Sequence, residues 1–152
     1  MRTILVASDA PTVRAEVAAV VGDPDTEIIE IDNGPAVRPA VDEHDPDLVI
    51  VDLQMGNMGA VAVCLDLRLE ESYGNLDHVP VLMLLDRRAD VFLARRADAE
   101  GFLVKPLDPI RIRRAANAII DGGTFHDESC RPSPVLVDGA DDDVDARQAG
   151  GV

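Results

Sequence analysis

The stretch Asp47-Leu48-Val49-Ile50-Val51-Asp52-Leu53-Gln54-Met55 holds four consecutive apolar residues, Leu48 to Val51, closed by an acid. A short run of this kind fits a strand buried on both faces, as in a parallel sheet. In open α/β sheets the ligand crevice lies just beyond the C-terminal ends of the strands. Asp52 therefore stands where a carboxylate can bind a metal or act as a nucleophile. A lone acid at a strand end can also do no more than cap a turn. What separates the two readings is whether the rest of the chain brings partners to Asp52.

The remainder alternates strand and helix. Arg2 to Ala7, with Ile4-Leu5-Val6 at its centre, reads as a buried strand ending in Ser8-Asp9. Pro11 suits the first turn of a helix that carries Val13, Val17, Val20 and Val21 and stops at Gly22. Thr26 to Ile31 sets isoleucines among Glu27, Glu30 and Asp32, a pattern that suits a sheet edge. Pro35 to His44 has room for a short helix weakened by Pro39. Ala60 to Glu71 is in conflict: Leu65, Leu67 and Leu69 alternate with charged residues as in a strand, whereas length and alanine content favour the helix expected here. Val79 to Leu85 is a further buried strand, Arg88 to Ala99 a charged helix, and Gly101 to Val104 a short strand running into Lys105-Pro106. Asp108-Pro109 is a helix start, with the acid at the N-cap and proline in the first turn, and the helix reaches Gly122-Gly123.

Five strands alternating with five helices argue for an α/β fold, a doubly wound five-stranded parallel sheet of order 2-1-3-4-5. Its switch point falls between strands one and three, which end in Asp9 and Asp52. Two carboxylates at one crevice repel each other and call for a cation, and oxygen donors suit a hard ion such as magnesium. Lys105 ends strand five on the same rim. Of 14 basic residues it is the single lysine, the others being arginine. Lysine is a compact point charge that arginine does not replace where a phosphate must be met in that way. A nucleophilic or metal-binding Asp, a second Asp and a Lys form a constellation for handling a phosphoryl group.

Composition bounds the function. The 152 residues suffice for one domain, and 47% hydrophobic content lets most of it fold. A net charge of −15 argues against direct nucleic-acid binding, since such proteins gather cations to meet phosphates. It favours a protein that meets basic surfaces or binds cations. No apolar run approaches the roughly 18 residues of a membrane span, and no signal-peptide pattern opens the chain. A cytoplasmic protein with Cys64 and Cys130 as free thiols is expected. Residues 122–152 are rich in acids, Gly and Pro and include Asp141-Asp142-Asp143, so a folded domain over 1–121 and a disordered acidic tail over 122–152 are expected. Within that tail Val135-Leu136-Val137 could be a short docking segment, although such an apolar triplet is more often incidental, and His126 with Cys130 supplies too few ligands for zinc. His44 and His78 lack an acid or serine context for catalysis and are expected at the surface.

These residues resemble the receiver domains of bacterial two-component response regulators, over residues 2 to about 121. Ile4-Leu5-Val6-Ala7-Ser8-Asp9 resembles that family's first strand with its acidic pair, Val51-Asp52-Leu53-Gln54-Met55 its phosphoacceptor turn, and Val104-Lys105-Pro106 its Lys-Pro turn. The resemblance implies a flavodoxin-like receiver fold and a non-enzymatic, stand-alone regulator in phosphorelay signalling. Asp52 would accept a phosphoryl group from a sensor histidine kinase or phosphotransfer protein. Asp9, Asp52 and the backbone carbonyl of Gln54 would hold magnesium, Lys105 would meet the phosphoryl oxygens, and Pro106 would follow a cis peptide bond. Phe102 matches the switch aromatic. A protein target downstream is implied but not named, and homodimerisation is left open.

The chain also departs from that pattern. Ser8 replaces the first acid, the turn after the phosphoacceptor is Gly56-Asn57-Met58-Gly59, and Leu85 stands where strand four should end in Thr or Ser. Leucine cannot donate a hydrogen bond, and losing one to a charged group costs about 1.5–3 kcal/mol. A pseudo-receiver that binds a partner without phosphorylation is therefore the alternative. A phosphatase of the haloacid-dehalogenase type would need an acid where Gln54 stands. A flavodoxin-like cofactor binder would need a hydroxyl- and Gly-rich loop after the first strand.

Overall fold

The computed structural model describes residues 1–127. Six strands make one parallel sheet in the order β2-β1-β3-β4-β5-β6. They are β1 (Arg2–Ala7), β2 (Thr26–Ile31), β3 (Leu48–Asp52), β4 (Val81–Leu85), β5 (Gly101–Val104) and β6 (Phe125–His126). The connecting helices are α1 (Pro11–Val21), α2 (Val37–His44), α3 (Ala60–Ser72), α4 (Val91–Arg96) and α5 (Pro109–Ile120). The fold is the doubly wound parallel α/β fold expected, with one more strand than the five expected.

Both faces of the sheet are covered, which is why its central strands read as unbroken apolar runs. Leu5, Val49, Val51, Met83, Leu85 and Phe102 face α2, α3 and α4 in one core. Ile4, Val6, Ile50, Leu82, Leu84 and Leu103 face α1 and α5 in the other. Every residue of β3 and β4 is buried, while Glu27 and Glu30 of the edge strand β2 are exposed. Among the described residues no helix is long and apolar enough to cross a membrane.

Helix α3 resolves the conflict in its sequence. Its buried residues are Ala60, Val63, Cys64 and Leu67, a helical i, i+3, i+4, i+7 stripe. Leu65 and Leu69 are about half exposed, so the alternation they suggested is a surface coincidence. Burial pushes the free Cys64 thiol up to about 11. The charged helix expected over Arg88 to Ala99 is shorter: a 3-10 turn over Arg88–Asp90 leads into α4, which ends at Arg96. At α5 the Asp108 carboxylate accepts from the amides of Ile110 and Arg111, with Pro109 in the first turn.

The folded part also continues past residue 121, where the sequence reading set its boundary. β6 pairs in parallel with the outer edge of β5, Gly101 beside Phe125 and Phe102 beside His126. Gly101 makes room for it, because a Cβ there would meet the Phe125 carbonyl oxygen and Ile119 Cδ1, each at 2.7 Å. The buried Asp127 carboxylate then accepts from the Val104 amide at 2.9 Å. A two-residue strand is too short to show a period, which is why the sequence did not announce it. Cys130, Val135 to Val137 and the acidic run lie outside the described residues.

Candidate functional site

Because all strands are parallel, the C-terminal ends of β1, β3, β4 and β5 share one rim, and Ser8-Asp9, Asp52, Asp86 and Lys105 stand on it. Asp52, the last residue of β3, is only 3% exposed. Both of its oxygens are engaged: Oδ2 accepts from Ser8 Oγ at 2.8 Å and Oδ1 from Lys105 Nζ at 2.7 Å. Lys105 Nζ also donates to Asp86 Oδ1 at 2.9 Å. Burial lowers the Lys105 pKa, but hydrogen bonds to the two carboxylates, with their charges, outweigh it and hold the ammonium above its ordinary value. The Lys105–Pro106 peptide bond is cis.

The first strand contributes Ser8 and Asp9 differently. Ser8 is fully buried, its hydroxyl turned to Asp52 while also accepting from the Ala10 amide at 3.1 Å. Asp9 is exposed, and its Oδ2 accepts from the Gly56 amide at 3.0 Å, tying the end of β1 to the loop after β3. Arg14 on α1 donates to the Ser8 carbonyl at 2.6 Å and pairs with Glu30. The loop after Asp52 is closely packed. A Cβ on Gly59 would lie 2.5 Å from the Leu53 carbonyl oxygen, and Asn57 takes a left-handed φ of 72° that asparagine tolerates. Gln54 lies exposed in this loop.

Asp9, Asp52 and the Gln54 carbonyl, the groups expected to hold magnesium, are all hard oxygen donors, two of them carboxylates. Magnesium is commonly held by one or two carboxylates and keeps several of its waters, so these residues fit it. Among the described residues no group of three or more His, Cys, Asp and Glu is placed to hold a metal. With Ser8 uncharged, the end of β1 brings one carboxylate, Asp9, rather than two.

The residues expected to relay a signal are both buried. Leu85 is fully enclosed in the core shared with Phe102, and its carbonyl accepts from the Lys105 amide at 2.9 Å. Phe102 is 2% exposed. His126 stacks on its ring with centroids 5.2 Å apart, and the Arg95 guanidinium lies 6.0 Å from the ring centroid. Sequence reasoning assigned no role to Asp86, Arg14, Arg95 or His126 at these places. Each acts through a contact made by the fold, with no local motif to mark it. Away from the site, His78 lies between Glu71 at 2.9 Å and Glu100 at 2.8 Å, and Arg68 also binds Glu100.

Comparison with known proteins agrees with this geometry. The profile of the response regulator receiver domain matches residues 4–117. The nitrate/nitrite response regulator protein NarL of Escherichia coli K12 is 27% identical over 132 residues, covering 86% of this chain and 60% of NarL. This chain thus spans under two thirds of that relative's length. Protein PilH of Pseudomonas aeruginosa is 23% identical over 124 residues, covering 80% of this chain and all of PilH. The signal receiver domain of the putative response regulator NarL from Mycobacterium tuberculosis superposes with a TM-score of 0.69 at 27% identity, over 80% of this chain and 97% of that one.

Proposed function

The chain belongs to the response regulator receiver domain family, and from that membership we propose a phosphoacceptor, charged on Asp52 and acting through protein–protein contact. The observation that carries the proposal is the buried Asp52 carboxylate with the Lys105 ammonium at 2.7 Å, on a rim shared with Asp9. In this reading a phosphohistidine on a sensor histidine kinase or phosphotransfer protein is the donor. One Asp52 oxygen attacks phosphorus, the P–N bond breaks, and its electron pair stays with the imidazole. Lys105 then meets the negative phosphoryl oxygens. Magnesium, when held by Asp9, Asp52 and the Gln54 carbonyl, supplies further charge neutralisation. The receiver unit would run to residue 127, with an acidic tail after it, in a cytoplasmic protein.

A second reading, the pseudo-receiver, is favoured by one observation. Asp52 is already satisfied on both oxygens by Ser8 and Lys105, and no hydroxyl stands at Leu85. One experiment separates the two. Incubated with acetyl phosphate and magnesium, the wild-type chain should gain one phosphoryl group by intact mass, and Asp52→Asn should gain none. If the wild type stays unmodified with this donor and with phosphoramidate, the phosphoacceptor reading fails and the pseudo-receiver stands.

A further inference from the structure

Lys105 is the one ammonium at the site, and two carboxylates share it. Its backbone amide is anchored on the Leu85 carbonyl at 2.9 Å, which sets the lysine alongside the end of β4. From there Nζ reaches Asp52 at 2.7 Å and Asp86 at 2.9 Å. The Asp52 side chain is almost fully buried, whereas that of Asp86 is 31% exposed. A phosphoryl group on Asp52 would bring about −1.5 to −2 charges to this place. It would have to draw on the same ammonium while facing Asp86 as a like charge. Leu85 offers no compensating donor.

We propose that Asp86 is a positioning residue that holds Lys105 back from the phosphoryl group and so acts as a built-in brake on charging Asp52. The inference rests on the phosphoacceptor reading above and adds a determinant that the reading does not contain. An Asp at this place lowers the occupancy of the charged state at a given supply of donor. It also makes that occupancy depend on ionic strength, because a partly exposed rim charge is screened by salt.

Beryllofluoride, a phosphoryl mimic, tests it without a kinase. Wild type, Asp86→Asn, Asp86→Ala, Asp86→Glu and Asp52→Asn would be titrated with beryllofluoride and magnesium, and bound fluoride followed by fluorine NMR. Asp86→Asn and Asp86→Ala should bind about tenfold more tightly than wild type, the size of one pK unit of interaction. Asp86→Glu should return toward wild type, and the gap between wild type and Asp86→Asn should narrow as salt is raised. Neither rescue by Glu nor the salt trend is expected if Asp86 only shapes the loop. Equal affinity of wild type, Asp86→Asn and Asp86→Ala, with binding lost in Asp52→Asn, would overturn the brake and leave the phosphoacceptor reading intact. Binding that appears only once Asp86 is neutralised, and still requires Asp52, would support both. No Asp52-dependent binding in any variant would overturn both.

Discussion

At Leu85 a single side chain decides how far a charge on Asp52 is felt. The residue ends β4 beside the site, yet it is fully enclosed in the core and has nothing to donate. A population shift requires an interaction that differs between two states, and Leu85 has none that depends on a phosphoryl group. Beryllofluoride should therefore shift resonances near Asp9, Asp52 and Lys105 in the wild type and barely those near Phe102. In Leu85→Thr the shifts should extend to Phe102 and α4, at a stability cost of about 2–3 kcal/mol in urea unfolding for the lost apolar volume and the buried hydroxyl. A strong shift at Phe102 in the wild type would show that another donor, such as Ser8, already does this work. Asp52, Asp9 and Lys105 were legible in the sequence because each follows an apolar run, and a parallel sheet sends such residues to one rim. The bond from Ser8 to Asp52 was not, because it joins residues 44 apart whose pairing no periodicity encodes. Asp86 was visible as an acid, but its hold on Lys105 exists only once β4 and β5 are neighbours.

Among the elements, β6 is the one whose removal should be felt most clearly. It gives Phe102 a stacking partner in His126, and Asp127 satisfies the Val104 amide at the edge of the sheet. A chain cut after Gly122 should lose both and expose the β5 edge, lowering the melting temperature by roughly 5 °C or more. A melting curve identical to that of the full chain would mean that β6 adds no stability. Asp127→Ala is the finer test: hydrogen exchange at the Val104 amide should accelerate while amides within β3 and β4 keep their protection. Elements of four or more residues were read with their type and order correct, including α3, where length outweighed a misleading alternation. Two features escaped for physical reasons. β6 is shorter than any period, and α4 ends early because Asp98 takes a left-handed φ of 60° that no residue-by-residue preference demanded.

For the whole molecule, 29 acids against 14 basic residues leave a net charge of −15, which repels itself in the compact state. Raising sodium chloride from about 20 to about 500 mM should raise the melting temperature, because screening relieves that repulsion. The exposed ion pairs, such as Arg38 with Asp66, weaken at the same time, but each contributes about 1 kcal/mol or less. A melting temperature that falls with salt would show that paired charges outweigh the surplus. The direction of β6 has one more consequence. At the end of α5, Ile120 lies in a cleft with Met1, Arg2 and Asp47, at the floor of the sheet. A chain leaving from there would head away from Asp52. By running parallel to β5, residues 125–127 turn that heading around, and Asp127 comes to rest against Val104, the residue before Lys105. The buried carboxylate of Asp127 is thereby set at the same end of the sheet as the site's one lysine rather than at its floor.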